Sequence, residues 1–243
     1  MATITKEWVE EALELADNER SKITEREREL FGQSSIRQRC LINNLCASGK
    51  INYLEIGIYR GATAISAVMG NDCKAVAVDN FKYDERESGW APEGHIHYNM
   101  KSQLEANIQR YDLHPETKIP GAIELVEGDF QEVDLSKHPK FDVCHFDLSP
   151  VNQAVYDDFF EKILPCMTTQ SVVVFTQQSN AQHAEELNKS LLRHADKVEE
   201  LFSHYRTSGG MSDATKYFSG IRVLGLKRKI VKAAPKAATA KKQ

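Results

Sequence analysis

Short apolar runs alternate along the chain with stretches whose apolar residues return every three or four positions. The runs are Ile51–Gly57, Lys74–Asp79, Ala122–Glu127, Phe141–Asp147 and Ser171–Thr176. Each has the length and continuity of a buried strand. Helical spacing fills the intervals at Arg60–Met69, Lys101–Tyr111, Val151–Leu164 and Ala181–Ala195. This alternation predicts an α/β domain with a mainly parallel sheet. Near the end, Val198–Tyr205 and Lys216–Leu226 flank Ser208-Gly209-Gly210, which predicts a terminal antiparallel pair.

Upstream of the first run the pattern is helical and strongly polar. Trp8, Ala12, Leu15 and Ala16 form one stripe at i, i+4, i+7 and i+8. Thr24 and Glu27 have the spacing of a capping box. Ser34 or Ser35 caps a further helix with Ile36, Cys40, Leu41 and Leu45 on one face, ending near Ser48-Gly49. Two readings of this region stay open: a cap lying on the body, or a dimer-forming arm. From Asn80 to Tyr98 runs a long polar loop with Gly89, Trp90, Pro92 and Gly94, of a length that suits a functional lid or a disordered segment. Three parts are therefore expected: a helical cap over 1–48, an α/β domain over 49–226 and a basic tail over 227–243.

Charge sharpens the division. The formal net charge of the 243 residues is −4. The tail holds seven Lys or Arg and no acid, which leaves the preceding residues at −11. An acidic body is poorly suited to gripping a phosphate backbone, and the tail has no aromatics on which bases could stack. A small-molecule partner is expected, nucleic acid is not, and self-association into a homo-oligomer is left open. The five cysteines form no CxxC pair, so neither a disulfide framework nor a zinc finger is indicated. No apolar stretch is long enough for a membrane span, and Met1–Glu14 has no apolar signal core. A cytoplasmic setting is expected.

Candidate chemistry gathers where the strands end. Tyr53-Leu-Glu-Ile-Gly-Ile-Tyr-Arg-Gly-Ala-Thr63 joins a strand to a helix through a turn with glycines at 57 and 61. Glycine there tolerates positive φ and lets the backbone approach a ligand; the alternative is a tight turn with nothing bound. Asp79 closes the next strand, where an acid can accept hydrogen bonds from both ribose hydroxyls or simply form a turn. In Glu127-Gly-Asp-Phe130, an acid beside an aromatic suits the amino group and ring of adenine. Phe141-Asp-Val-Cys-His-Phe-Asp147 delivers another carboxylate to the same edge. The turn lacks the GxGxxG pattern of a nicotinamide dinucleotide site.

In order and spacing these four motifs, from about Arg37 to Leu226, resemble the class I S-adenosylmethionine-dependent methyltransferases, in the form of the macrocin-type small-molecule O-methyltransferases. The resemblance implies a Rossmann-like, doubly wound seven-stranded sheet of order 3-2-1-4-5-7-6 with the last strand antiparallel. It implies S-adenosylmethionine as cofactor, with Glu55 and Gly57 at its methionine end. Tyr59 and Gly61 would serve in the same turn, Asp79 and Asn80 at the ribose, and Asp129 and Phe130 near adenine. Asp147 would lie near the transferred methyl. The implied reaction is methyl transfer to an oxygen, or less readily a nitrogen, of a small molecule or sugar. Bases for it are sought in His95 and His97 of the long loop, with solvated loop histidines as the alternative, while His145 reads as a core histidine. Relatives that hold magnesium carry further acids or histidines after the fourth and fifth strands. Here Leu148–Gln153 and Thr176–Asn180 carry no carboxylate, and no metal is assigned. The second reading is a non-catalytic module that binds the same cofactor or another nucleotide.

Overall fold

Strands β1 (Ile51–Ile56), β2 (Cys73–Asp79), β3 (Ile123–Glu127), β4 (Phe141–Phe146), β5 (Met167–Phe175), β6 (Val198–His204) and β7 (Ile221–Leu226) form one sheet in the order β3-β2-β1-β4-β5-β7-β6. The first five pair in parallel, and β7 runs antiparallel between β5 and β6. This is the expected topology. The computed structural model describes residues 4–82, 100–114, 117, 119–149, 151–178, 180–204 and 220–227. The helices are α1 (Lys6–Asp17), α2 (Glu25–Arg28), α3 (Ile36–Leu45), α4 (Ala62–Val68), α5 (Met100–Asp112), α6 (Gln153–Lys162) and α7 (Ala181–Arg193). Strand β5 begins at Met167, earlier than its apolar run. Its first turn of residues, Thr168-Thr169-Gln170, is polar, and the Thr168 hydroxyl donates to Asp142 at 3.2 Å.

Alternation along the strands divides the core between the two faces. Tyr53, Ala75, Ala77 and Val143 look toward α1, α3 and α4, whereas Leu54, Ile56, Val78 and Phe146 meet Tyr156, Phe159 and Phe160 of α6 and Leu187 of α7. The first helix buries Val9, Ala12 and Ala16, with Trp8 only partly covered, so its inward stripe is turned slightly from the expected one. It packs on this chain's own body. The capping box at Thr24 is present: the Thr24 N–H donates to the Glu27 carboxylate at 2.9 Å. Of the two serines considered, Ser35 caps α3, accepting from the Gln38 N–H at 3.2 Å.

Helix α3 is buried all round from Gln38 to Leu45, beyond the single apolar face its sequence suggests. Its polar side chains make this tolerable by tying backbone carbonyls. The Asn43 amide donates to Ser66 and Met69, the Asn44 amide to Arg20 and Ala12, and the Arg39 guanidinium to Glu27 and Arg28. Gln38 reaches through to the sheet, its Nε2 lying 3.4 Å from Nε2 of His145. His145 is fully buried, and its Nδ1 lies 3.5 Å from Oε1 of Glu55. That distance is long for a hydrogen bond, so the contact acts mainly as a charge pair. Burial pulls the imidazole toward neutrality, but Glu55, with a smaller push from Asp147, outweighs it and holds the His145 pKa above its ordinary value. Tyr53 donates its hydroxyl to Glu55 at 2.8 Å; burial, then Glu55, push that phenol well up, so it stays protonated.

At the carboxyl ends of the strands the backbone closes tightly. The Asp147 N–H donates to Ile56 and the Gly57 N–H to Val78, both at 2.9 Å. Gly57 sits at φ +83°, and a Cβ there would run into the carbonyl of Asp147. Gly57→Ala is therefore expected to cost about 3 kcal/mol of unfolding free energy, combining clash with left-handed strain. Gly121→Ala, at φ +69° in open space, is expected to cost about 1 kcal/mol. Urea titration of both variants checks the difference; equal losses would mean that the Asp147 contact is inconsequential. His145 supplies a second test. Because its folded pKa is raised, its contribution is complete below an unfolded value of about 6.5 and is lost as pH rises through the folded one. Unfolding free energies measured from pH 6 to 8 are expected to fall with pH in the wild type and to lose that component of slope in His145→Asn.

Candidate functional site

A cleft of about 300 Å³ opens at the carboxyl edge of the sheet, where open α/β folds bind their ligands. Its floor is the turn from β1 into α4. Asp79, at the end of β2, sets that turn: Oδ2 accepts the N–H groups of Ile58 at 3.0 Å and Tyr59 at 3.3 Å, and Oδ1 accepts that of Phe81 at 2.7 Å. Tyr59 takes φ +52° and Phe81 φ +50°, both unusual for side-chain-bearing residues. Bonds from an ionised carboxylate to backbone N–H groups contribute about 1.5–3 kcal/mol each, enough to hold such conformations. A carboxylate has about four lone-pair sites. With three filled, Asp79 retains room for one hydroxyl rather than the two expected of it.

Seven of the expected residues come together on the cleft wall: Gly57, Tyr59, Asp79, Asn80, Asp129, Phe130 and Asp147. Asn80 uses its side-chain oxygen to accept the Lys82 N–H at 3.0 Å. Asp129 does likewise with the Gln131 N–H at 2.9 Å, so each acid or amide is held by its own loop. Phe130 is buried and meets Phe146 edge-on at 5.7 Å, fixing the ring at the cleft margin. Asp147 accepts from Nε2 of Gln177 at 3.1 Å.

Two expected residues sit elsewhere. Gly61 is absent from the cleft wall; at φ +82° it caps α4, and a Cβ would approach Leu104 of α5 to 2.6 Å. Its need for glycine comes from helix packing, just as that of Gly57 comes from Asp147 rather than from a ligand alone. Glu55 is 1% exposed and lies behind the wall, bonded by the hydroxyls of Tyr53 and Thr63 and paired with His145. Thr63 is the residue between Glu55 and the cleft. Its proton is committed to Glu55, so it presents lone pairs to anything bound there. His95, His97 and Trp90 lie outside the described residues.

Sequence reasoning passed over several wall residues. Gly32, Gln33 and Ser34 reach the cleft from the segment before α3, and Ser149 and Gln177 from loops after β4 and β5. Thr63 was legible, since it stands in the glycine motif; Gln177, at φ +63°, carries no sequence signal. The wall combines the carboxylates of Asp79, Asp129 and Asp147 with the cations of Arg60 and Lys82. Among the described residues no group of three His, Cys, Asp or Glu is placed to hold a metal ion, and no helix is long and apolar enough to cross a membrane.

Solved structures share this architecture at low identity. An O-methyltransferase from Bacillus cereus, in complex with SAH, aligns with a TM-score of 0.52 at 16% identity over 91% of each chain. An O-methyltransferase from Streptomyces achromogenes involved in tomaymycin synthesis, in complex with SAM, gives 0.56 at 16% identity over 90% of each. An rRNA methylase from Streptococcus thermophilus gives 0.51 at 9% identity, over 77% of this chain and 92% of that one. Comparison with curated proteins found no match. The family described as methyltransferase domain matches residues 54–176, just over half of the chain, and that span contains the second half of β1, all of β2 to β5 and most of the cleft wall. The chain belongs to the methyltransferase-domain family, in the seven-stranded class I fold.

Proposed function

We propose that the protein transfers a methyl group from S-adenosylmethionine to an oxygen of a small molecule or sugar, in the manner of the macrocin-type enzymes. The observation that carries this is the cleft itself: an Asp79-pinned turn, an aromatic margin at Phe130 and three carboxylates, inside the span that matches the family. A donor with a sulfonium and an ammonium group suits such an acidic wall. The bound donor supplies an activated methyl group, whose transfer leaves a neutral thioether.

The chain's own residues have separate tasks. Gly57, Tyr59 and the Thr63 oxygen receive the methionine end, with Glu55 acting from behind through Thr63. Asp79 accepts one ribose hydroxyl, and Asp129 and Phe130 frame the adenine. Asp147, oriented by Gln177, stands near the acceptor, where a carboxylate can orient a hydroxyl and take its proton. His95 and His97 remain proposed bases from the loop that follows Asp79. Small-molecule acceptors are favoured over nucleic acid because the body carries −11.

Asp79→Ala is expected to weaken S-adenosylmethionine binding at least tenfold in calorimetry, because it removes both the ribose acceptor and the pin of the turn. Unchanged affinity would overturn the ribose assignment. Incubation of the full chain with methyl-labelled donor and fractionated extracts is expected to place label in the small-molecule fraction. Label in RNA would overturn the acceptor class, and donor binding without transfer to any pool would overturn the enzymatic reading.

A further inference from the structure

Arg60 stands out on the cleft wall as a cation that forms no ion pair among the described residues. Its backbone is fixed at both ends. Tyr59 before it is held on Asp79 at φ +52°, and the Arg60 carbonyl accepts from the Asn107 amide at 3.0 Å. Its guanidinium carbon lies 4.3 Å from the ring centroid of Phe31 and 5.1 Å from that of Tyr59. The rings are 6.5 Å apart and tilted by 49°, so the guanidinium is framed by two aromatic faces. Among the described residues, no ion pair or side-chain hydrogen bond uses Arg60, and its Nε is buried without a partner. Phe31, on the other side, is 54% exposed.

A guanidinium held in place by aromatic stacking, with its planar donors unspent, is suited to a carboxylate or phosphate, which it can grip through two parallel bonds. The Phe31 ring beside it adds apolar surface next to the anion's binding point. Resting on the methyltransferase reading, we propose that Arg60, framed by Phe31 and Tyr59, is the anion-recognition subsite for the methyl acceptor, and that the acceptor is a ring-bearing carboxylate or phosphate. The donor's own carboxylate is the other source of the same chemistry. Two features place the subsite with the acceptor. Phe31 and the adjoining Gly32–Ser34 belong to the cap segment, outside residues 54–176 that match the family and hold the donor-binding motifs. The cleft already offers Thr63, Asp79 and Asp129 to the donor.

The test uses the full chain saturated with S-adenosylhomocysteine and three probes: 4-trifluoromethylbenzoate, 4-trifluoromethylphenyl phosphate and the neutral 4-trifluoromethylbenzamide, followed by fluorine line broadening. At least one anionic probe is expected to bind the wild type and the amide is not. Arg60→Met is expected to weaken anionic-probe binding at least tenfold while S-adenosylhomocysteine affinity stays within twofold. Phe31→Leu, at an exposed position, is expected to weaken it about threefold. Equal probe binding by wild type and Arg60→Met would overturn the proposal, as would absence of anionic-probe binding by the wild type. A matching fall in S-adenosylhomocysteine affinity would overturn it by giving the subsite to the donor. Failure of the wild type to bind S-adenosylhomocysteine at all would instead strike the methyltransferase reading.

Discussion

The carboxylate of Asp79 is the constraint on which the site depends. It gathers three backbone N–H groups from two loops and thereby fixes where β1 ends, how the chain turns into α4 and where the segment after β2 departs. Without it, Tyr59 and Phe81 would relax from their positive φ values, and the floor of the cleft would lose its shape. The same turn is confined from the other side by Asp147, whose carbonyl leaves room only for glycine at 57. A strand-end acid that looks like a ligand-binding group is thus also structural. Its remaining lone pair is what it can offer to a bound molecule.

Beneath this floor lies a second layer that couples it to the cap. Glu55 meets Tyr53, Thr63 and His145, and Gln38 of α3 closes the line from the cap side. A buried carboxylate is tolerable only when its oxygens are bonded or its charge is answered, and here both conditions hold. The consequence reaches the surface through Thr63, whose proton is directed inward. The cap then contributes directly to the wall through Gly32–Ser34. Helix α3 and the segment before it are therefore part of the site's construction, as well as cover for the sheet.

The topology was legible because alternation of strand and helix periodicity leaves few arrangements open, and the order of the four motifs selects one of them. The site was legible where the residue type is chemically demanding: Asp79, Asp129, Phe130 and Asp147 all reach the cleft. The linear motif is ambiguous where one residue type answers two needs. Gly61 serves the approach of Leu104, and Glu55 is turned inward to bond its neighbours, yet both look like ligand contacts in a linear motif. The early start of β5 was hidden because Thr168–Gln170 lie where polar side chains remain accessible. The contributions of Gly32–Ser34 and Gln177 depend on tertiary approach, which no local pattern records.

The central claim is that this Asp79-pinned edge is where S-adenosylmethionine binds. Hydrogen–deuterium exchange of the full chain, with and without S-adenosylhomocysteine, reads that edge segment by segment. Slower exchange is expected in peptides covering 57–63, 79–82 and 128–131, with the β6 and β7 peptides unchanged. Protection confined to other parts of the chain, or none at saturating ligand, would contradict it.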